Sequence, residues 1–356
     1  MNLDDLGWTP RLSEAFRASG HSHLDPERLG RIGRIGRIDG ARATAWTRAG
    51  PVRIGLPSRL YRGGQAPVVG DWVAIESLDD GSARAIRLLP RTTHLARRAA
   101  GRRVRRQWLA ANIDVVFIVS SMDEDLSERR LERYLTVVYD GGARPVILLT
   151  KAGLVDDPGP YLDRARGVAP GVDVHAIDVV SGVDPERPRT YLTRGCTAVL
   201  VGSSGVGKST LLNHLVGAET MATRHVRASD GLGQHTTTHR ELFVLATGGV
   251  VIDTPGLREL SPWADTESLD EAFGEIDDLA RGCRFGDCSH RHEPGCAVRE
   301  AVATGTLDEA RLRSYLDLRQ ELAVQEVRSS EHERRKRDRA LGRIYRQVQA
   351  HKRRRR

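Results

Sequence analysis

Apolar and polar positions alternate in short runs between about residues 30 and 100, and Gly or Pro separates the runs. Alternation with a period of two is typical of a strand with one buried face, and several short strands broken by turn residues indicate a small barrel. The pattern predicts strands at 41–47, 52–56, 68–75 and 83–89. The Gly-Arg-Ile triplet that occurs three times at 30–38 is too short to indicate a solenoid.

From about residue 109 the pattern changes to continuous apolar runs separated by helix-length segments. Such runs are typical of strands buried on both faces, and their alternation with helices predicts a parallel sheet covered on both sides. The pattern predicts a helix at 127–138 and strands at 114–119, 145–149, 174–177, 197–201 and 250–252. Beyond about residue 262 it is helical around a Cys/His cluster, and we expect the last thirty residues to form a charged helix that frays to disorder.

The length of 356 residues leaves room for two or three domains, each with its own core. Every apolar run is strand-sized, well short of the roughly 20 residues that cross a bilayer. The N-terminus has neither the basic start nor the apolar segment of a secretory signal. We therefore expect a cytoplasmic protein without membrane attachment.

The positive charge is concentrated in two segments. Residues 84–106 hold nine Arg and no acid, and residues 328–356 hold 13 Lys and Arg against three acids, whereas the whole chain carries only +8. A polyanion is the simplest partner for such segments, although solvated helix faces remain an alternative for either one alone. The candidate polyanion-binding residues are Arg97, Arg98, Arg102, Arg103, Arg105 and Arg106.

A phosphate-binding loop follows the predicted strand 197–201 and precedes an apolar-periodic helix. The motif G-x-x-x-x-G-K-[ST] is complete there, and its backbone N–H groups would surround phosphate oxygens. Lys208 would bridge the β- and γ-phosphates, and the Ser209 hydroxyl would bind Mg²⁺. Only four of the 55 basic residues are Lys, so Lys at 208 stands out. The candidate nucleotide-binding residues here are Gly202, Ser203, Ser204, Gly205, Val206, Gly207, Lys208, Ser209 and Thr210.

Two further segments fit a nucleotide switch. Asp253 and Gly256 form a D-x-x-G element at the end of a second apolar strand, where the carboxylate would hold Mg²⁺ through water. The polar loop 231–238 lies between that element and the phosphate loop, and such loops order around the γ-phosphate. Within it, Thr237 is the candidate Mg²⁺ ligand and His235 the candidate catalytic group, with an ordinary surface loop as the alternative.

Three of the four cysteines fall close together with a histidine. Cys283, Cys288, His290 and Cys296 have the spacing C-x₄-C-x-H-x₅-C, which supplies three thiolates and one imidazole. This is a common tetrahedral zinc set with no open position, so we expect one structural Zn²⁺. Buried thiols or a redox pair remain alternatives for the cluster, and we expect Cys196 to be a core thiol.

The best match to the base-reading motif N-K-x-D is Thr150-Lys151-Ala152-Gly153, and it precedes the phosphate loop instead of following it. With Gly70–Val73, Leu109–Asp114 and the cysteine cluster, this order resembles the circularly permuted, small-ribosomal-subunit-dependent GTPases of the RsgA type. The resemblance implies a monomer that binds GTP or GDP and ribosomal RNA. Such a protein would act in the late maturation of the small ribosomal subunit. It also implies an OB-like barrel at 30–108 after an extension at 1–29, a GTPase domain at 109–262, a zinc-binding helical domain at 263–327 and a basic tail at 328–356.

The chain departs from that family's pattern in two places, and from that of many GTPases in a third. Gly153 stands where an Asp usually receives two hydrogen bonds from guanine, and Asp156 or Asp157 could reach back in its place. The residues at 176–179, Ala-Ile-Asp-Val, stand where a Ser-Ala pair usually supports the base. An Asp at position 153 is accordingly expected to raise GTP affinity. Leu257 replaces the Gln that often orients water, so hydrolysis should be slow alone, with His235 as the substitute. The alternative function is an RNA-binding assembly factor with a degenerate nucleotide pocket.

Overall fold

The computed structural model describes residues 2–18, 32–61, 65–98, 106–123, 126–217, 240–253 and 266–324. The chain divides into two compact units, residues 1–96 with 108–261, and residues 97–107 with 262–356. Within the described ranges, no helix combines the length and the apolarity that crossing a bilayer requires.

Five strands of the first unit close into the barrel that the alternation predicts. They pair in the order β1-β2-β3-β5-β4, β4 pairs back onto β1, and β3 and β5 run parallel. In β2, Ala43, Ala45 and Thr47 are buried while the residues between them are more exposed, which is the expected period of two. The strands are β1 Ile32–Asp39, β2 Arg42–Thr47, β3 Gly50–Gly55, β4 Trp72–Ser77 and β5 Ala83–Leu88.

The first strand, β1, is not among those that the alternation predicts, because Gly and Arg are unusual in a central strand. Its glycines permit close packing: a Cβ at Gly36 would lie 2.6 Å from the ring of Trp46, and one at Gly33 would lie 2.7 Å from Ile75. The N-terminal segment completes this part of the core. It comprises a 3-10 turn and helix α1 (Pro10–Ala18), whose apolar side chains pack with Trp72.

A second set of six strands forms the nucleotide-domain sheet, in the order β10-β9-β8-β11-β13-β12. All pairs are parallel except β12–β13, so the sheet confirms the predicted α/β organisation. Strand β12 also pairs with β1, which joins the barrel to this sheet. The elements are β8 Val115–Ser121, α2 Glu128–Asp140, β9 Arg144–Thr150, α3 Gly159–Gly167, β10 Asp173–Ala176, β11 Thr197–Val201, α4 Lys208–Val216, β12 Glu241–Val244 and β13 Val250–Asp253.

The remaining described elements are a two-stranded sheet and a group of helices. Strand β6 (His94–Arg98) pairs with β7 (Arg106–Ala111) and connects the barrel to the nucleotide domain in the chain. The second unit contains α5 (Thr266–Ala272), α6 (Gly274–Ala280), α7 (Ala297–Ala303) and helical residues 309–324. Phe273, Ile276 and Val298 are fully buried in it, as the apolar pattern of a helical domain requires.

Candidate active site and metal centre

The phosphate loop lies at the centre of the nucleotide-domain sheet. It follows β11, which pairs on one side with β8 and on the other with β13. The chain passes outward from β8 to β9 and β10 before it returns to β11, so the order reverses between β8 and β11. In open parallel sheets the carboxyl ends at such a reversal form the ligand-binding crevice. The carboxyl ends of β8, β9, β10, β11 and β13 lie at this edge.

Glycines give the loop its closed shape. Gly202, Gly205 and Gly207 have φ of 146°, 82° and 90°, which other residues rarely adopt. A Cβ at Gly202 would overlap the carbonyl oxygen of Val119 in β8. Helix α4 begins directly afterwards at Lys208, so the N–H groups of its first turn and its dipole face the loop. Backbone geometry of this kind fits a bound anion.

Two basic side chains contact the loop. Lys208 Nζ donates to the carbonyl oxygen of Gly202 at 2.8 Å and to that of Ser203. Arg130 Nη1 donates to Ser203 Oγ at 2.6 Å. Arg130 is not among the residues that the sequence motifs single out, although its helix α2 follows β8 and β8 is adjacent to β11. The sequence signal that could have indicated Arg130 is its position as a basic residue in the first turn of the helix after β8.

The residues of the base-reading motif lie next to the phosphate loop. Thr150 is buried, and its hydroxyl donates to the carbonyl oxygen of Val206 at 2.7 Å. It therefore ties β9 to the phosphate loop. Lys151 has a left-handed backbone, φ 61°, and its Nζ lies 2.8 Å from Asp123 Oδ2. The hydroxyl of Ser121 donates to the other carboxylate oxygen of Asp123 at 2.8 Å.

The switch residues are described only in part. Asp253 is the last residue of β13, the neighbour of the strand that carries the phosphate loop. Ser209 is the second residue of α4. His235 and Thr237, with the rest of loop 231–238, lie outside the described residues, and so does Gly256.

The four predicted zinc ligands converge on one point of the second unit. Their donor atoms all lie within 4.8 Å of one another. Cys283 Sγ is 3.9 Å from Cys296 Sγ and 3.6 Å from His290 Nδ1, which is itself 3.4 Å from Cys296 Sγ. A tetrahedral ion with bonds of about 2.3 Å to sulfur and about 2.0 Å to nitrogen needs separations of about 3.8 and 3.5 Å. The distances and the donor set fit Zn²⁺, and a disulfide is excluded for these cysteines.

Local backbone contacts shape this centre. His290 has φ of 60°, and burial lowers the pKa of its imidazole, which favours the neutral form that binds metals. Glu293 accepts hydrogen bonds from the N–H groups of Ser289, Arg291 and His292, at 3.0, 3.1 and 3.1 Å. Its carboxylate thus fixes the turn that carries His290. Cys296 caps α7 through a 3.5 Å contact from the N–H of Arg299.

Comparison with known proteins settles the family. Residues 88–263 match the family described as RsgA GTPase. The "Small ribosomal subunit biogenesis GTPase RsgA" of Methanosarcina acetivorans is 43% identical over 326 residues, which cover 91% of this chain and 86% of that protein. The chain belongs to the RsgA GTPase family.

A further RsgA relative and two solved structures match most of the chain. "Small ribosomal subunit biogenesis GTPase RsgA 2" of Lactiplantibacillus plantarum is 46% identical over 276 residues, covering 78% of each chain. The crystal structure of YjeQ from Thermotoga maritima matches with a TM-score of 0.61 and 26% identity, over 82% of this chain and 98% of that one. The crystal structure of YloQ, a circularly permuted GTPase, has the same fold, with a TM-score of 0.59 and 24% identity over 85% and 98% of the chains.

Membership of the RsgA family implies Mg²⁺ at the nucleotide site. The residues present fit that ion. Ser209 offers a hydroxyl from α4, the helix after β11, and Asp253 offers a carboxylate from β13, which pairs with β11. Oxygen donors of this kind are what Mg²⁺ prefers.

The arginine-rich segment is described in part. Arg97, in β6, donates from Nε to Gln107 Oε1 of β7 at 3.1 Å. Arg98 and Arg106 lie in the same two strands. Arg102, Arg103 and Arg105 lie outside the described residues, as does the tail 328–356.

Proposed function

We propose that this chain hydrolyses GTP and acts in the late maturation of the small ribosomal subunit, slowly alone and faster on the subunit. The observation that carries the proposal is the phosphate loop at the reversal point of the sheet, with Lys208 at the start of α4. The relatives at 43% and 46% identity are named as small ribosomal subunit biogenesis GTPases, which supports the same activity and process here.

In phosphoryl transfer, different residues of this chain would hold the phosphates, bind the Mg²⁺ and orient the attacking water. The loop backbone and Lys208 hold the β- and γ-phosphates in place, which is most of what such a reaction requires of the protein. Ser209, Thr237 and Asp253 would hold Mg²⁺, which when bound neutralises charge on those phosphates. Gly256 would contact the γ-phosphate through its N–H, and His235 would orient the attacking water.

The dependence on the subunit follows from Leu257 and from the chain order. An aliphatic side chain cannot orient water, so the isolated protein lacks one contribution to catalysis. Strand β13, which carries Asp253, is the last strand of the nucleotide domain, and the chain continues from it into the zinc-binding unit. A partner that binds the zinc-binding unit can therefore act on the switch segment between them.

The remaining parts of the proposal concern binding. The barrel with its arginine-rich flank and the basic tail would contact ribosomal RNA, mainly through phosphates. The Zn²⁺ would be structural, because four protein donors leave no open position. We propose a monomer that works in the cytoplasm.

A turnover assay tests the proposal. Phosphate release is measured with GTP and with ATP, each with and without purified small subunits, for the wild-type protein and for Lys208→Ala. We expect slow GTP hydrolysis that the subunits stimulate and that Lys208→Ala abolishes. Subunit binding without nucleotide turnover in either condition would instead support the assembly factor with a degenerate pocket.

A further inference from the structure

Position 153 has no room for the aspartate that usually reads guanine. A Cβ on Gly153 would overlap the Ser181 hydroxyl and would lie 2.6 Å from Ser181 Cβ. It would also lie 3.0 Å from Asp178 Oδ2. The space that an aspartate side chain at position 153 would enter is therefore occupied by the loop after β10, and a carboxylate already lies there.

The carboxylate of Asp178 is held rigidly in this place. Its Oδ2 accepts from the N–H of Gly153 at 3.2 Å, and its Oδ1 accepts from the N–H groups of Val180 and Ser181 at 2.9 and 3.3 Å. The backbone of Asp178 pairs with Val183 in both directions, at 2.7 and 2.9 Å, which closes the loop. Both the side chain and the loop are thus held by hydrogen bonds within the protein.

The surroundings keep this carboxylate ionised. Burial raises the pKa of Asp178, but hydrogen bonds from the Ser181 hydroxyl and from three backbone N–H groups outweigh it and hold the pKa below its ordinary value. An ionised carboxylate accepts hydrogen bonds at about four lone-pair positions, and a serine hydroxyl rotates freely to another acceptor. A ligand that displaces the Ser181 hydroxyl can therefore donate one hydrogen bond to Asp178 without disturbing the three backbone contacts.

The neighbouring side chains suit a flat aromatic ligand. Leu154 and Val180 are the two most exposed large apolar side chains of the described residues, at 78% and 86%. They come from the same two loops as Gly153 and Asp178. Lys151 precedes them, with its ammonium group held 2.8 Å from Asp123 Oδ2. Apolar surface exposed beside a fixed carboxylate is typical of a small-molecule site.

We infer that Asp178 supplies the carboxylate that reads the guanine base, in place of the residue missing at 153. Guanine presents two donors side by side, the N1–H and the C2 amino group. The position that the Ser181 hydroxyl leaves accepts one of them, and the second displaces the longest backbone contact on Asp178, the 3.3 Å hydrogen bond from the N–H of Ser181. Adenine presents an acceptor and a C–H at the same positions. The inference rests on the proposed function, because it assigns the base specificity of the same nucleotide site.

Asp178 also alters what a change at Gly153 should do. A carboxylate introduced at 153 would overlap Ser181 and would lie against the charge of Asp178. Contrary to the expectation from sequence alone, Gly153→Asp by itself should not raise GTP affinity. Replacing Asp178 by Ser removes the carboxylate that accepts from the N–H groups of Val180 and Ser181. The loop can then move and make room for a carboxylate at position 153.

The test measures dissociation constants for GDP, ADP and XDP with Mg²⁺ by calorimetry, since diphosphates are not consumed. Xanthine keeps the N1–H but carries a carbonyl at C2, so an amide side chain matches it with one acceptor and one donor. For Asp178→Asn we expect GDP affinity to fall roughly 10- to 100-fold, as for the loss of hydrogen bonds to a charged group, and XDP affinity to rise. Asp157→Asn, which changes the carboxylate that accepts from Gly159 N–H, is the control and should match the wild type.

Three further variants cover the case in which Asp178→Asn disturbs the loop. Asp178→Ser should lose the preference for GDP over ADP, and Asp178→Ser combined with Gly153→Asp should regain it, whereas Gly153→Asp alone should gain nothing. Equal losses for all three nucleotides in both Asp178 variants, with no recovery in the double variant, would overturn the inference. So would a wild-type protein that binds GDP and ADP equally. Failure of the wild type to bind or hydrolyse any nucleotide would instead reject the proposed function.

Discussion

The guanidinium group of Arg34, in barrel strand β1, donates from Nη1 to the hydroxyl of Thr197, the first residue of the strand that leads into the phosphate loop, at 2.8 Å. The same group donates to the carbonyl oxygens of Gly70 at 3.3 Å and of Asn112 at 2.7 Å, and to that of Leu6. Burial lowers the pKa of Arg34 to about 10, so the side chain remains charged at neutral pH. One buried cation therefore joins the barrel, the N-terminal segment and the nucleotide domain.

Replacing Arg34 should destabilise this whole unit. Arg34→Met keeps the length of the side chain but leaves the carbonyl oxygens of Leu6 and Asn112 without this donor, at about 1–3 kcal/mol for each buried unsatisfied group. The carbonyl oxygen of Gly70 still accepts from Asn112 Nδ2. We expect the free energy of unfolding to fall by about 3–5 kcal/mol, measured by urea denaturation. Thr197→Val, which removes one acceptor, should cost about 1–2 kcal/mol.

Arg53→Met in barrel strand β3 is the matched control, because Arg53 is exposed. Exposed substitutions of this kind usually change stability by less than about 0.5 kcal/mol. Equal losses in Arg34→Met and Arg53→Met would show that the buried contacts of Arg34 contribute nothing specific.

The central strands could be predicted from sequence because their signal is local. Strand β11 has the bounds expected from its continuous apolar run, which ends at Gly202. Strand β12 was missed because only four residues form it and only Leu242 and Phe243 of them are buried. Its position is decided by pairing with β13 and β1, which no local pattern encodes.

Buried polar residues show where sequence reasoning ends. Arg34 is 1% exposed, although arginine is a residue type that is rarely buried completely. Its burial is stable only because acceptors 28, 36, 78 and 163 residues away converge on it. The phosphate loop, by contrast, is one contiguous motif. Gly153 and Asp178 could each be noticed in the sequence, but their contact depends on the pairing of β9 with β10.

The metal centre should contain one zinc ion per chain after purification without chelator. Cys288→Ser should remove most of it, since three donors bind much more weakly than four, and metal analysis by mass spectrometry measures the change. Cys196→Ser is the control: burial raises the pKa of Cys196 to about 11, and it packs against the nucleotide-domain core. Zinc-free wild-type protein, or equal zinc loss in both variants, would contradict the assignment.

Binding to ribosomal RNA should depend steeply on salt. Each phosphate that Lys or Arg neutralises releases counterions, so the logarithm of affinity falls linearly with the logarithm of salt concentration. Removing residues 328–356, which carry 13 basic residues, should flatten that slope in filter-binding titrations. Arg166→Gln, an exposed arginine of α3 outside both basic segments, should leave it unchanged. An unaltered slope in the truncated chain would remove the tail from the RNA interface.

His235 should matter for turnover more than for binding. His235→Ala should leave GTP affinity within a few-fold while subunit-stimulated hydrolysis falls roughly 100-fold, the usual loss for a group that positions water or transfers a proton. His235→Gln, which can still orient water by a hydrogen bond, should retain part of the rate. The control is His292→Ala, which changes an exposed histidine of the zinc-binding unit and should behave as the wild type.

Single-turnover hydrolysis measures the effect of each variant on rate, and equilibrium binding of a non-hydrolysable GTP analogue measures its effect on affinity. Because Leu257 offers no polar group, the residue that follows the D-x-x-G glycine cannot supply this function. Parallel losses of affinity and rate in His235→Ala would mean that the imidazole only shapes the loop, and the water would then have to be positioned by the subunit.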